Sequence, residues 1–242
     1  MLAFVGISGC TGSTSDVSEN DPAEPVNRAI FEANHTVDRH VLKPVAEAYQ
    51  DWIPQWARTG VHNFSANLKQ PATVANDLLQ GNASYAWTAT KRFAINSTIG
   101  GAGVVDVAAG QGLAPHTSDF GQTLAVWGVD EGPFVELPVL GPSNLRDAFG
   151  TLVGFALDPL TAVGGPIASA LSYAGTSAGL VDARSNHIQD LDALERSSLD
   201  YYATLRSAYR QARQAKITGA KEDQPKEPRG YIDIHLLPEE PR

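Results

Sequence analysis

Apolar residues recur every three or four positions near the start of the chain, a spacing that places them on one face of an α-helix. The first stripe consists of Val26, Ile30, Ala33, Val37 and Val41. Ahead of it, Asp21 is a candidate helix cap, Pro22 suits a first helical turn, and Glu24 stands three residues after Asp21, as in a capping box. The pattern predicts an opening helix that starts shortly after residue 21.

The same reasoning predicts further helices, separated by proline and glycine. Pro44 and Pro54 can each open a helix, and Gly81 and the Gly100-Gly101 pair are plausible stops. We expect helices over 54–69, 71–80 and 83–98. Residues 182–217 are dense in charge, with apolar residues at helical spacing, which predicts amphipathic helix that faces water.

One extended run interrupts the helical pattern. Residues 134–140 are mostly apolar and lie between Gly132-Pro133 and Gly141-Pro142, which is typical of a short strand. Ser143 is then a candidate cap for a helix through Phe149. The predicted fold class is mainly α, a bundle of short amphipathic helices with at most one short strand or hairpin.

The middle of the chain carries little charge. The 89 residues from Phe93 to Val181 contain eight charged ones, and residues 159–181 contain none. The latter stretch is nevertheless too rich in small residues, glycine and proline for a conventional membrane-spanning helix. Two interpretations stay open: the core of a soluble domain, or short helices packed closely inside a membrane.

Composition and the single cysteine narrow the function classes. The net charge of −9, without a basic cluster, disfavours a nucleic-acid partner. Cys10 ends the run Ile7-Ser8-Gly9-Cys10 after an apolar stretch, the order of a bacterial lipobox. We expect 1–9 to be a signal peptide that is truncated at its N-terminus. Residues 10–20 are then the lipidated cysteine and a flexible tether, and 218–242 form a polar, proline-rich tail.

A search for catalytic chemistry finds little. None of the six histidines has the spacing of a helical zinc site, and we interpret each as hydrogen-bonded or solvent-exposed. No complete nucleophile elbow occurs. The run from Gly101 to Asp106 resembles part of a dinucleotide-binding loop but lacks its third glycine. We therefore expect that the protein is not an enzyme and binds no metal.

Several blocks of sequence form a longer pattern. They are Asp21-Pro22-x-Glu24-Pro25-x-Asn27-Arg28-x-Ile30-Phe31-Glu32-x-Asn34, Arg58-Thr59-Gly60-x-x-Asn63-Phe64-x-x-Asn67-Leu68-x-x-Pro71, Asn76-Asp77-Leu78-Leu79-Gln80-Gly81, Arg92-Phe93-x-Ile95-Asn96-Ser97-Thr98-x-Gly100-x-x-Gly103-x-x-Asp106, Asp119-Phe120-Gly121-Gln122-Thr123-Leu124-x-Val126-Trp127-Gly128 and Leu137-Pro138-x-Leu140-Gly141-Pro142-Ser143-x-Leu145-Arg146-Asp147. With these blocks in order, residues 21–217 resemble the MlaA/VacJ family of outer-membrane lipoproteins. The lipobox lies where that family has one.

The resemblance implies a ring-shaped helical body in the inner leaflet of the outer membrane of a Gram-negative bacterium, with an amphipathic channel through it. Its partners would be phospholipids, a trimeric porin and a soluble, MlaC-like periplasmic carrier. It would return misplaced outer-leaflet phospholipids toward the inner membrane and so maintain lipid asymmetry. Diacylglycerol and an N-acyl chain on Cys10 would anchor it, without other cofactors.

For the channel mouth, the sequence offers one glycine-rich loop. Its glycines are Gly100, Gly101, Gly103, Gly110 and Gly112, and we expect this loop to be mobile. Two other functions stay open: a lipid-anchored periplasmic phospholipase, which would hydrolyse lipid, and an adaptor lipoprotein that only binds a porin.

Overall fold

The computed structural model describes residues 20–156 and 165–222, which fold into α-helices, one π-helical turn and one hairpin. Cys10, the signal segment 1–9 and most of the tether and tail lie outside the described residues. The α-helices are α1 (Glu24–Val37), α2 (Lys43–Trp52), α3 (Gln55–Leu68), α4 (Gln70–Leu79), α5 (Ala83–Thr98), α6 (Val107–Gly110), α7 (Phe120–Val126), α8 (Leu145–Ala156), α9 (Gly165–Asn186), α10 (Ile188–Ser197) and α11 (Tyr201–Glu222).

The predicted helices over 54–69, 71–80 and 83–98 are confirmed as α3, α4 and α5. Asn82 caps α5 by accepting a hydrogen bond from the N–H of Tyr85, and Gly81, with φ of 77°, lies just beyond α4. A residue without a side chain adopts that left-handed backbone at little cost. The last helix, α11, continues five residues past 217 and ends at Glu222.

The opening helix runs into α2 through the π-helical turn Asp38–Leu42. The N–H of Lys43 donates to the carbonyl of Asp38, five residues back. Pro44 follows and has no N–H to donate, so the change in hydrogen-bond register accommodates it. Pro44 therefore lies in the first turn of α2, as expected, yet the helix does not break.

Asp21 does not cap α1, and that prediction is wrong. The helix begins at Glu24 without a side-chain cap, and Asp21 is buried instead. Its carboxylate accepts hydrogen bonds from Asn27 Nδ2 at 2.7 Å, from Arg206 Nη1 at 2.6 Å and from the hydroxyl of Tyr202. A buried carboxylate needs such partners, and no local pattern reveals two that lie on the last helix.

The hairpin consists of β1 (Phe134–Leu137) and β2 (Gly141–Asn144), antiparallel, with Phe134 opposite Asn144. The predicted strand over 134–140 ends early because the chain turns there, with Val139 at φ of 68°. Ser143 lies in β2 rather than at the start of α8. Asn144 is the cap, since its Oδ1 accepts from the N–H of Asp147 at 2.8 Å.

Contacts between neighbouring elements close into a circuit. From α1 and α2 it passes to α9, then through α3 and α4 to α7, α8 and the hairpin, which packs back on α1; α5 packs on α4. The last helix, α11, contacts α7 and β2, and α10 contacts α2 and α11. The expected mainly helical, ring-shaped bundle with one short hairpin is confirmed. Among the described helices, none has the length and apolar character to cross a bilayer.

Candidate functional site

The interior of the ring is polar. Within the described residues, twenty-three polar or charged residues are buried, against ten apolar ones, of which six are alanines. In the described part of the chain, the cluster of larger buried apolar side chains consists of Phe31, Phe134 and Tyr202. A soluble domain normally buries its large aliphatic residues. Hydrogen bonds and ion pairs therefore hold much of this interior together.

Large apolar side chains face outward instead. Val26, Val37 and Val41, from the first stripe of the sequence, are each at least half exposed. Trp52 and Trp56, on either side of the turn between α2 and α3, are 83% and 79% exposed. Apolar exposure on this scale marks a surface that is covered by a partner or a membrane.

Helix α8 shows this surface most clearly. Four of its residues, spaced three or four apart and thus on one face, are more than half exposed: Leu145, Phe149, Leu152 and Phe155. The opposite face carries Arg146 and Asp147, which are buried. Helix α8 therefore turns its polar side into the ring and its apolar side outward.

Two asparagines tie α1 to the hairpin. Asn27 donates to the carbonyl of Phe134 at 3.1 Å and accepts from the N–H of Glu136 at 3.0 Å. Asn34, two helical turns later, accepts from the N–H of Val139 at 2.8 Å. Asn27 thus pairs with backbone groups that would otherwise be buried without partners, whereas the bond of Asn34 to Val139 is exposed. These bonds fix the hairpin against the ring.

Glu136 is a buried acid in this hairpin. It is 3% exposed, its Oε1 accepts from Asn34 Nδ2 at 3.0 Å, and its Oε2 has no partner. Burial raises the pKa of this carboxyl from 4.5 to about 7, although the Asn34 hydrogen bond opposes the shift. The ionised form is therefore disfavoured in the folded protein.

The stability of the protein should consequently fall as Glu136 ionises. Below pH 4.5 the carboxyl is protonated in both the folded and the unfolded states, so it does not lower the free energy of unfolding. As pH rises from 4.5 through about 7, the unfolded chain releases this proton more readily than the folded protein does, and the free energy of unfolding falls. We expect Glu136→Gln to be more stable than wild type by about 2–3 kcal/mol at pH 8, and equal to it at pH 4. Thermal unfolding at both pH values measures this. Glu32→Gln, at an exposed position, is the control, and equal behaviour of the two variants would contradict the assignment.

Arg213 joins α11 to α7 and α8. Its guanidinium donates to both oxygens of Asp119 at 2.7 and 2.8 Å and to both oxygens of Asp147 at 2.8 and 2.9 Å. Burial opposes ionisation of both acids, but the hydrogen bonds and charge of Arg213 outweigh it, so the pKa values of Asp119 and Asp147 lie below their usual range. The hydroxyl of Tyr209 also donates to Asp147.

Glycines allow α7 and α8 to touch beneath this network. A Cβ atom on Gly150 would lie 2.4 Å from the backbone nitrogen of Gly121, and one on Gly121 would lie 2.5 Å from Oδ1 of Asp147. Neither position leaves space for a side chain. The two helices therefore approach at backbone distance.

A cavity of about 450 Å³ is lined by charged, polar and small apolar residues. Its lining comes from α3, α4, α5, the end of α9 and the segment before α7. The charged and polar lining residues include Lys69, Gln70, Arg92, Asp182 and three histidines, His62, His116 and His187. No group of acidic, histidine or cysteine side chains in the described part of the chain is placed to hold a metal ion.

Acids that do not line the cavity hold two of these side chains in place. Arg92 donates to Asp106 at 2.8 Å and to the carbonyl of Leu113. His116 Nε2 lies 2.8 Å from Oδ2 of Asp77. Both side chains are thus oriented by groups that lie outside the cavity lining. A second cavity, of about 300 Å³, shares His116 as a wall.

The predicted glycine loop leads to this wall. Gly100 and Gly103 are packed tightly: a Cβ on Gly100 would lie 2.3 Å from the carbonyl of Val105, and one on Gly103 would lie 2.6 Å from Asn67. Gly101, Gly110 and Gly112 face open space. None of the five is among the described residues that line the 450 Å³ cavity. Their role at a channel mouth stays a prediction, as does lipidation of Cys10, which lies outside the described residues.

A family model described as MlaA lipoprotein matches residues 19–216.

The chain belongs to the MlaA lipoprotein family.

Relatives support this membership over most of the chain. The intermembrane phospholipid transport system lipoprotein MlaA of Escherichia coli is 35% identical over 208 residues, covering 83% of this chain and 80% of that protein. The Haemophilus influenzae protein of the same name is 33% identical, covering 91% and 90%. A solved structure from work on the structural basis for maintenance of bacterial outer membrane lipid asymmetry is 34% identical, with a TM-score of 0.70, covering 81% of this chain and 98% of that one.

The blocks that resemble the MlaA family hold the ring together. Asp21, Asn27 and Asn34 in the first block bind α11 and the hairpin. Asp119 and Asp147 in the last blocks bind Arg213. These blocks therefore encode the polar interior that distinguishes the fold.

The cavity could not be predicted from the sequence. Arg92 and Asn96 lie four residues apart on α5 and both bind Asp106, so a polar stripe in a region of low charge was the available signal. The individual interpretation of His116 as hydrogen-bonded is confirmed. No pattern in the sequence indicated that His116 and Lys69 line the same cavity, because the two residues are distant in sequence.

Proposed function

We propose that this protein is an outer-membrane lipoprotein that takes misplaced phospholipids from the outer leaflet and passes them to a soluble periplasmic carrier, which maintains lipid asymmetry. The observation that carries the proposal is the polar interior inside an apolar exterior. The printed name of the Escherichia coli and Haemophilus influenzae relatives, intermembrane phospholipid transport system lipoprotein, supports the same substrate class.

The apolar exterior suits a body that lies beside acyl chains. Burial of apolar surface contributes roughly 25 cal/mol per Å² relative to water, so the outward face of α8 favours insertion. Trp52 and Trp56 are amphipathic rings of the kind enriched at the membrane–water boundary. We place the ring in the inner leaflet, with these tryptophans near the head groups.

The polar interior suits the passage of a head group. A polar group that enters hydrocarbon without partners costs several kcal/mol, and a wall of hydrogen-bonding side chains lowers that cost. Two cavities that meet at His116 and Thr117 provide such walls. The passage requires no covalent step, so we propose a transporter rather than an enzyme.

The anchor and the partners complete the proposal. Diacylglycerol and an N-acyl chain on Cys10 supply more than one hydrocarbon chain, which holds a protein stably at a membrane. The charged helices α10 and α11 would face the periplasm and receive an MlaC-like carrier. A trimeric porin would lie against the apolar exterior.

The anchor can be tested together with the function. In cells that lack the protein, we expect more phospholipid in the outer leaflet, measured by a membrane-impermeant amine reagent on intact cells. The wild-type gene with a full signal peptide should restore the low level. Cys10→Ala should be released from the membrane fraction and should not restore it, because nothing then retains the protein.

Three outcomes would contradict this account. Lipid on the Cys10→Ala variant, detected by mass spectrometry, would refute the anchor. Unchanged outer-leaflet phospholipid after deletion would favour an adaptor that only binds a porin. Hydrolysis of phospholipid by the purified protein would favour a phospholipase.

A further inference from the structure

Within the described residues, the lining of the 450 Å³ cavity includes an exposed cation without a counter-charge. Lys69 lines the cavity, and its Nζ makes no hydrogen bond or ion pair with the described residues. Arg92, by contrast, is balanced by Asp106 behind the wall. The cavity lining therefore includes an unpaired ammonium group and a paired guanidinium, and groups of both kinds bind phosphate oxygens.

Polar atoms around the same cavity lack partners. Arg92 Nε, Gln70 Oε1 and His116 Nδ1 are buried, and no described group bonds to them. Buried polar atoms are nearly always satisfied in folded proteins, by protein, water or a ligand. Gln70 can also rotate its amide to present an N–H. The wall thus holds unused hydrogen-bonding capacity next to Lys69.

The cavity also contains a buried acid. Asp182 is 3% exposed and accepts from His62 Nδ1 at 3.0 Å and Asn186 Nδ2 at 3.3 Å. The hydroxyl of Tyr49 donates to its other oxygen at 3.4 Å. No lysine or arginine pairs with it, and in particular no ion pair joins it to Lys69, across the residues that the structure describes. Its ion-pair partner among the described residues is His62, at 3.0 Å, and this partner is charged only when the imidazole is protonated. An ammonium group would bring a full counter-charge to the buried carboxylate.

A molecule that carries a phosphate and an ammonium group could pair with the cationic residues and with the buried acid of this cavity. We propose that this cavity seats a zwitterionic phosphoethanolamine-type head group, with its phosphate toward Lys69 and Arg92 and its ammonium toward Asp182, an inference that rests on the proposed function. Lys69, Arg92 and Asp182 line the same cavity, so one head group that carries both charges has a candidate partner for each. The volume of about 450 Å³ lies in the roughly 300–1,000 Å³ range of small-molecule sites.

Binding of short-chain lipids to the purified protein tests the assignment. Calorimetric titration with dihexanoyl phosphatidylethanolamine and dihexanoyl phosphatidylglycerol compares a zwitterionic and an anionic head group. We expect Lys69→Gln to weaken both lipids about tenfold or more, because a charge-assisted contact to phosphate is lost. We expect Asp182→Asn to weaken only the phosphatidylethanolamine, about tenfold, because only that lipid carries an ammonium group.

Controls separate a specific site from a general effect. Lys91→Gln removes a similar charge from α5 outside the cavity and should leave both affinities unchanged. Circular dichroism and thermal unfolding check that each variant is folded. Because Lys69 is exposed, we expect Lys69→Gln to fold, so the phosphate site can be tested even if Asp182→Asn does not fold. Dihexanoylglycerol, which lacks phosphate, should bind at least tenfold more weakly than either phospholipid.

The overturning results are distinct. Equal lipid affinities of Lys69→Gln and Lys91→Gln would contradict the phosphate site. An equal decrease in affinity for both lipids in Asp182→Asn would contradict the ammonium site. Inorganic phosphate bound as tightly as the lipids would show a general anion site instead of a head-group site. Failure of the proposed function shows differently, as unchanged outer-leaflet phospholipid after deletion of the whole protein.

Discussion

Replacement of Arg213 with methionine is expected to destabilise the protein by about 3 kcal/mol, because one partner of a buried charge network disappears while the others stay. Asp147, whose side chain is 8% exposed, would keep only Arg146 as a charged partner. Methionine has similar length, so the change removes charge and hydrogen bonds more than volume. Chemical denaturation at pH 7 measures the loss.

The matched control lies on the same helix. Lys216→Gln breaks an exposed ion pair to Asp119 at 3.1 Å and should cost less than about 1 kcal/mol. A loss in Arg213→Met no larger than in Lys216→Gln would show that the network contributes little.

The network also has a pH signature. Since the folded-state pKa values of Asp119 and Asp147 are lowered, their stabilisation is present above their unfolded pKa of 3.8 and is lost as pH falls through the lower folded values. In Arg213→Met this acid-dependent loss should shrink. An acid profile that does not change in this variant would contradict Arg213 as the cause of the lowered pKa values.

Replacement of Phe149 and Phe155 by glutamate should abolish membrane partition while leaving the fold intact. In the proposed position of the protein in the inner leaflet, each glutamate would place a charge among acyl chains. This change should make the free energy of membrane insertion less favourable by roughly 2–3 kcal/mol. Both phenylalanines are more than half exposed, so the free energy of unfolding in detergent should change by less than about 1 kcal/mol. In the unlipidated Cys10→Ala background, vesicle partition should fall at least about hundredfold.

The matched control adds the same charge to a polar surface. Gln211 and Gln214 are exposed on α11. Their replacement by glutamate should change vesicle partition by no more than about twofold, because α11 faces water in the proposed orientation of the protein. Equal partition of the two double variants would place α8 away from the acyl chains.

The helix positions could be predicted from the sequence, whereas the direction of their apolar faces could not. Val26, Val37 and Val41 repeat with helical spacing, and that spacing is the same whether the stripe meets a protein core or a lipid. The exposed state of these residues follows from what surrounds the helix. The periodicity therefore predicted where the opening helix lies, but not whether its apolar face contacts protein or lipid.

The cavity and the charge network depend on contacts between distant residues. Arg213 meets Asp119 from 94 positions away, and Asp182 meets His62 from 120 positions away. No local pattern encodes such pairs. The failed capping assignment of Asp21 has the same origin, because its strongest partner is on the last helix.

The bond between Asp21 and Arg206 spans 185 residues, and this separation affects the order in which the chain can fold. Contacts between distant residues form late, since the loop between them must first be closed. Until α11 has been synthesised, the first acid has no counter-charge, so an N-terminal fragment should remain loose. Because the circuit itself closes through the hairpin and α1, we expect the last helix to stabilise the ring late, after the other elements have met.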